Sequence, residues 1–319
     1  MKKLFLSAAF LAASLASQAQ QAPLWMRYPA ISPDGKTIVF SYKGDIYSVP
    51  ATGGEARQLT TNAAHDSYPI WSPDGKKIAF ASNREGSFDV YVMSAHGGAP
   101  TRITTNSERE IPVAFKDNDH VLFSANIMPT AESNLFASRE FSQVYEVSTQ
   151  GGRPKLYSVI PMEDISINAK GQVLYHDCKG YEDKWRKHHT SPITRDIWML
   201  DGGKYQKLTS FKGEDRNPVW AQDGQSFYYL SEQNGSFNVY HRNVASGKDT
   251  QVTHNQKNPI RFLTSSQSGL LCYGYDGEIY TIKEGAEPQK VNISITTDNA
   301  EPSLVRQIRS NGATELALS

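Results

Sequence analysis

The chain has 319 residues, 33 basic and 33 acidic side chains, and a mean hydropathy of −0.51. Balanced charge excludes a general polyanion binder, and the hydropathy excludes a polytopic membrane protein. Two cysteines are too few for a disulfide-dense scaffold or a four-cysteine metal site. The chain opens with Lys2 and Lys3, an apolar run from Leu4 to Ala16, and small residues from Ser17 to Ala19. This pattern reads as a secretory signal peptide over residues 1–19. The run is shorter than the roughly 20 residues of a spanning helix. Export to a bacterial periplasm is therefore the expectation, with no membrane attachment after cleavage.

A repeat follows. Tyr28 to Lys36 (Tyr-Pro-Ala-Ile-Ser-Pro-Asp-Gly-Lys) returns as Tyr68 to Lys76, and weaker copies begin at Ile111, Met162, Asn217 and Asn258. Self-similarity at such a period marks solenoids, arrays or propellers. Each unit then carries an apolar run (Ile38–Phe40, Ile78–Phe80, Val121–Phe123, Val173–Tyr175, Phe227–Tyr229, Leu270–Cys272). A third element opens with a polar residue before an aliphatic and an aromatic, as in Asp45-Ile46-Tyr47 and Asn238-Val239-Tyr240. A fourth reads polar, aliphatic, then usually Thr, as in Gln58-Leu59-Thr60 and Gln251-Val252-Thr253. Short β-branched and aromatic runs punctuated by Gly, Pro, Asn and Asp are strands. Six units of four strands predict an all-β, six-bladed β-propeller of antiparallel blades over residues 20–295. Each unit is complete in order, so closure need not borrow a strand from the N-terminus. Ser-Pro-Asp-Gly is turn chemistry, which assigns Asp34 and Asp74 to turns rather than to acid catalysis.

Alternating strand direction sorts the loops onto two faces. The Ser-Pro-Asp-Gly turns mark one. The other collects the variable loops and two long insertions, Asn126 to Phe141 in blade 3 and Lys179 to Arg195 in blade 4. Long loops on one rigid face are where binding usually resides. The blade 4 insertion concentrates Trp185, Arg186, Lys187, His188 and His189. A basic, aromatic loop suits a carboxylate, such as a peptide C-terminus, or an acidic surface; the alternative is a solvated cover whose Trp packs on the disc. Arg84 and Arg109 fall on the same face and complete the candidate set for peptide or partner binding. No second ligand set supports a metal at the paired histidines, and no cofactor is expected.

Catalytic signatures are missing: there is no Gly-x-Ser-x-Gly elbow, no His-Glu-x-x-His and no phosphate loop in the sequence. Asp117 and Asp119 read as a turn rather than a calcium loop. The aromatic strand residues follow the repeat and so read as packing, not as a base-stacking platform for nucleic acid. Cys178 and Cys272 fall in blades that are not neighbours, so both are expected as free, buried thiols. Residues 296–319 read as a connector and the truncated start of a further repeat, since Thr314 to Ser319 echoes Tyr28 to Ser32. The expectation is an N-terminal part of a longer polypeptide.

The Ser-Pro-Asp-Gly repeats resemble the propellers of TolB, of prolyl oligopeptidase-like enzymes and of tricorn protease. The stretch from Gly180 to Ser191 with Thr194 to Trp198, and the connector stretches Thr296 to Pro302 and Ser310 to Glu315, most resemble secreted bacterial tricorn-protease homologues. That resemblance implies a large serine peptidase in which two propellers precede a PDZ module and a peptidase core. It implies that the propellers gate peptides or unfolded polypeptide and that the full-length form is a homo-oligomer. The nucleophile and its partners would lie in the later domains; no position in 1–319 matches them. The alternatives are a stand-alone TolB-like periplasmic scaffold and the propeller of a prolyl oligopeptidase-like enzyme. The start of the first repeat at Tyr28 disfavours the former, and the six units disfavour the latter.

Overall fold

The computed structural model describes residues 23–126, 141–180 and 190–296. Six antiparallel sheets follow one another along the chain, each built from four strands consecutive in sequence. They are the blades of a propeller, as the repeat predicts. The innermost strands are Arg27–Ile31, Asp66–Trp71, Ile111–Phe115, Met162–Ile167, Asp215–Trp220 and Arg261–Ser265.

The repeat has a physical explanation in strand register. The aromatic that ends the second element faces the aromatic of the third: Phe40 opposite Tyr47, Phe80 opposite Tyr91, Phe123 opposite Tyr145 and Tyr229 opposite Tyr240. Ring centroids in these pairs lie 5.7–5.9 Å apart. Each such pair contributes about 0.5–1.5 kcal/mol beyond area burial. In blade 6 the pair is Tyr273 with Tyr280. Its apolar run is thus Leu271 to Tyr273, one residue later than the sequence suggests.

The closing Thr of the fourth element ties the outer strand inward. The Thr60 hydroxyl accepts from the Ile46 amide at 2.9 Å and donates to Asp45 at 3.2 Å. Thr253 repeats this with Val239 and Asn238 at 2.9 and 3.0 Å. The polar opener of one strand and the Thr of the next are one hydrogen-bonded unit, which satisfies groups that the blade would otherwise bury unpaired. The turns behave as expected too. Asp34 accepts from the Ser32 hydroxyl at 2.6 Å and the Lys36 amide at 3.0 Å, while Gly35 takes φ 75°. The Ser32 bond, then the Lys36 amide, hold the Asp34 carboxyl below the usual range.

The core is a set of six wedges, one between each pair of neighbouring blades. Two tryptophans bridge adjacent inner strands. Trp71 donates to the Ala30 carbonyl at 2.9 Å and Trp220 to the Ser166 carbonyl at 3.2 Å. Among the described residues the four strands of each blade are consecutive, so no N-terminal strand completes blade 6. A further strand, Ile293–Ile295, follows blade 6 and adds in parallel to the outer strand of blade 1, Gly54–Gln58. Ile293 and Ile295 bury themselves in the wedge between those blades, with Ala56, Ile279 and Cys272. The two cysteines form no disulfide with each other, and Cys272 is buried as expected. Cys178 differs: it lies just beyond its strand and is only half-buried, because the chain there leaves the sheet for the blade 4 insertion.

Candidate functional site

The six inner strands enclose a central channel of about 1690 Å³. It is lined from Tyr28 at the start of the first inner strand to Pro33 in the following turn, and equivalently around the ring. The start of each inner strand lies on the insertion face. Stem residues of both insertions, Asn126 and Ser142 in blade 3 and Cys178, Gly180 and Arg195 in blade 4, border the channel there. The described stems of both insertions therefore stand at the channel mouth.

A β-bulge shapes that mouth. In every blade the pairing of the two inner strands slips near the start of the innermost one. In five blades the bulge holds a residue in the left-handed region: Tyr28 at φ 52°, Tyr68 at 56°, Asp164 at 50°, Asn217 at 50° and Phe262 at 60°. In blade 3 the corresponding place holds Pro112, whose ring forbids positive φ. Bulges re-aim side chains, and all five of these residues line the channel. Positive φ is uncommon outside glycine, and for bulky side chains it stores strain.

The mouth has two chemically distinct arcs. Blades 6, 1 and 2 contribute Phe262, Tyr28 and Tyr68, each half-buried. The Tyr28 ring packs at a tilt against Tyr68 and Phe262, with centroids 4.0 and 4.7 Å away, and its hydroxyl donates to that of Tyr68 at 3.0 Å. Burial, then the neighbouring Tyr68, push the Tyr28 hydroxyl well above its ordinary value, so it stays neutral. Arg109 ends this arc; its guanidinium donates to the Tyr68 hydroxyl at 3.2 Å and lies over the rings of Tyr68 and Phe88.

Blades 4 and 5 supply the other arc, an ionic network. His176 is 2% exposed and faces two carboxylates, Glu163 through Nε2 at 3.0 Å and Asp164 through Nδ1 at 3.4 Å. Arg195 reaches Glu163 at 3.4 Å and Glu214 at 3.2 Å, and Arg216 reaches Glu214 at 3.0 Å. Burial works against charge on Arg195, yet Glu163 and Glu214 overcome it and raise its pKa. Burial pulls Arg216 below its ordinary value, opposed by Glu214; its guanidinium also lies 4.2 Å over the Phe237 ring. Lys179 pins the stem of the blade 4 insertion from the other side, with Asp196 and the Thr194 carbonyl as partners. Among the described residues no cluster of His, Cys, Asp and Glu suits a metal ion.

Of the residues singled out from sequence, the fold brings Arg109 to the channel mouth. It places Arg84 elsewhere: the guanidinium chelates the fully buried Asp66 at 3.0 and 3.1 Å, donates to Ser82 and covers Tyr91. That is a structural anchor within blade 2. Trp185, Arg186, Lys187, His188 and His189 lie outside the described residues. Sequence reasoning missed the two arcs. One signal was available: Tyr28, Tyr68 and Asn217 all stand immediately before the repeat's proline. Reading that one repeat position around the ring would have outlined the mouth.

Six closed blades around a channel with a built mouth define a channel-bearing β-propeller. Comparison with known proteins places it further. The model of the tricorn protease N-terminal beta propeller domain matches residues 23–288, and the chain belongs to that family. Among solved structures, tricorn protease superposes with a TM-score of 0.72 at 20% identity, over 88% of this chain and 27% of that one. The present chain thus spans about a quarter of the length of that relative. TolB from Acinetobacter baumannii matches at TM-score 0.58 and 15% identity, over 81% of this chain and 61% of its own. The β-propeller domain of the Trilobed protease from Pyrococcus furiosus matches at 0.52 and 14%, over 89% and 84%. An uncharacterized protein of Agrobacterium fabrum is 26% identical over 218 residues, which is 63% of this chain and 68% of that protein. The structural likenesses speak for the fold alone.

Proposed function

We propose that this chain is the non-catalytic N-terminal propeller of an exported tricorn-type serine peptidase, and that its channel admits single extended polypeptide chains to peptidase domains of the same polypeptide. The channel's size carries the reading. The channel runs along the inner strands and into the turns after them, about eight residues or roughly 26 Å, so 1690 Å³ corresponds to a mean cross-section of roughly 65 Å². One extended chain occupies about 50 Å², from strand and sheet spacings of ~4.8 and ~10 Å. A folded 100-residue domain, with a radius of gyration near 13 Å, does not fit. Family membership supports a proteolytic context, and the signal-peptide pattern of residues 1–19 supports a periplasmic one. Assembly of the full-length protein into a homo-oligomer belongs to the same proposal.

A plug at the far end of the channel tests it. Lys170 lines the channel in the blade 4 turn, away from the mouth. In full-length protein carrying Cys178→Ser, Lys170→Cys is labelled with a bulky maleimide polymer. Turnover of an unfolded polypeptide is expected to fall sharply on labelling and to recover with a cleavable label on reduction. Turnover indifferent to the plug contradicts the channel's role.

A further inference from the structure

Below the mouth, the channel wall is a ring of backbone. In every blade the residue after the innermost strand donates its amide outward, to the start of the second strand. Ser32 bonds Thr37 in this way, and Ser72, Lys116, Asn168, Ala221 and Ser266 follow at 2.7–3.1 Å. Amides alternate in direction along an antiparallel pair. The last residue of each innermost strand therefore turns its amide the other way, toward the channel that it lines: Ile31, Trp71, Phe115, Ile167, Trp220 and Ser265. Two of these amides are capped. Ile31 donates to the Thr264 hydroxyl at 3.3 Å and Trp220 to the Ser166 hydroxyl at 3.2 Å. Each cap comes from the preceding blade, one position before the end of its innermost strand. The other four blades hold Ala30, Ile70, Ala114 and Val219 there, none with a hydroxyl. Among the described residues, the amides of Trp71, Phe115, Ile167 and Ser265 thus lack this cap. The same level is free of charge: the last three residues of all six innermost strands carry no ionisable side chain.

We infer that this waist is a main-chain subsite, in which the amides of Trp71, Phe115, Ile167 and Ser265 donate to backbone carbonyls of an extended, uncharged stretch of polypeptide. The inference rests on the channel reading above and names what the channel recognises. Open strand edges are templates for another extended chain, and main-chain bonds give affinity without regard to sequence. A chain of about 50 Å² fills most of an opening of roughly 65 Å², which brings its carbonyls against the wall. Successive carbonyls of an extended chain point to opposite sides, and Phe115 and Ser265 stand in opposite blades. An uncharged wall gives no ion-pair partner to a charged side chain that leaves water there.

Calorimetry on the full-length protein tests the subsite with two uncharged, acetylated and amidated dodecapeptides of unrelated sequence. A third probe is the first peptide with four alternate amides replaced by esters, whose carbonyls accept weakly. The two amide peptides are expected to bind alike, and the ester peptide about tenfold more weakly. Ala114→Ser and Val219→Thr copy the native caps onto Ile167 and Ser265. Each should weaken the amide peptides about fivefold and affect the ester peptide less. Ser166→Ala uncaps Trp220 and should tighten binding. Thermal melts matching wild type confirm that each variant folds, and the ester comparison needs no variant. Absence of binding, an ester peptide that binds as tightly as its amide, an affinity set by side chains, or indifference to both added caps overturns the subsite. The Lys170 plug blocks passage whatever the wall bonds to. The subsite can therefore fail while passage holds, and a failed plug rejects the channel reading itself.

Discussion

Glu214→Ala is expected to destabilise the folded protein by about 3–5 kcal/mol. Glu214 is 1% exposed and lies between two guanidinium groups, Arg195 at 3.2 Å and Arg216 at 3.0 Å. Both arginines are nearly inaccessible to water. Removing the carboxylate leaves two buried cations close together in a low-dielectric site, with only partial compensation from Glu163 at 3.4 Å from Arg195 and from Asp164 and Glu232 near Arg216. Breaking a buried pair from one side costs far more than the pair itself contributes, because the uncompensated charge keeps its desolvation penalty. The melting temperature should fall by roughly 5–10 °C for a chain of this size. Glu214→Gln keeps an acceptor and should lie between the two. A loss under about 1 kcal/mol for Glu214→Ala would show that solvent reaches the arginines and that the arc is not a rigid wall.

Replacing both Ile293 and Ile295 with Asp should open the ring at one joint. Each isoleucine is 7% exposed and packs in the wedge between blades 6 and 1. Among the described residues the four strands of every blade are consecutive, so no exchanged strand completes a blade across that joint. It is held by the wedge, by the added parallel strand, and by bonds such as the Met26 amide to the Gly277 carbonyl at 3.1 Å and the Ile31 amide to Thr264 at 3.3 Å. Losing the burial of two isoleucines costs about 3–6 kcal/mol, and forcing carboxylates into the apolar wedge adds to this. Hydrogen exchange should localise the effect. Amides of Arg27–Ile31 and Arg261–Ser265 are expected to lose protection first, with those of Ile111–Phe115 and Met162–Ile167 retained. Uniform loss of protection would mean that the ring unfolds as one unit and that this joint is no weaker than the other five.

The propeller was legible because its determinants are local and repeated. A turn such as Ser32 to Lys36 satisfies its own hydrogen bonds within five residues, and the Asp45–Thr60 unit within sixteen. Cross-strand pairs such as Phe80 with Tyr91 recur at nearly constant spacing. The channel mouth was not legible, for two reasons. Its ionic arc joins Glu163, His176, Arg195, Glu214 and Arg216, which are scattered over two blades and share no spacing rule. Its aromatic arc joins Phe262 to Tyr28 across almost the whole chain, and only closure of the ring makes them neighbours. The backbone state that aims these side chains, a left-handed residue before Pro29, Pro69 and Pro218, is one that sequence preferences argue against. Basic side chains were a misleading guide: Arg84 and Arg109 look equivalent in sequence, yet a buried carboxylate claims the first and the mouth takes the second.

Photo-cross-linking during turnover tests most directly whether polypeptide travels through the ring. A photoreactive residue is placed in the full-length protein at Tyr68 in the mouth, at Gln267 at the far end of the channel, or at Tyr205 on an exposed outer strand. An unfolded substrate should be captured from Tyr68 and Gln267 and not from Tyr205. Capture from Tyr205 alone, or equally from all three, would mean that substrate moves over the outside of the propeller.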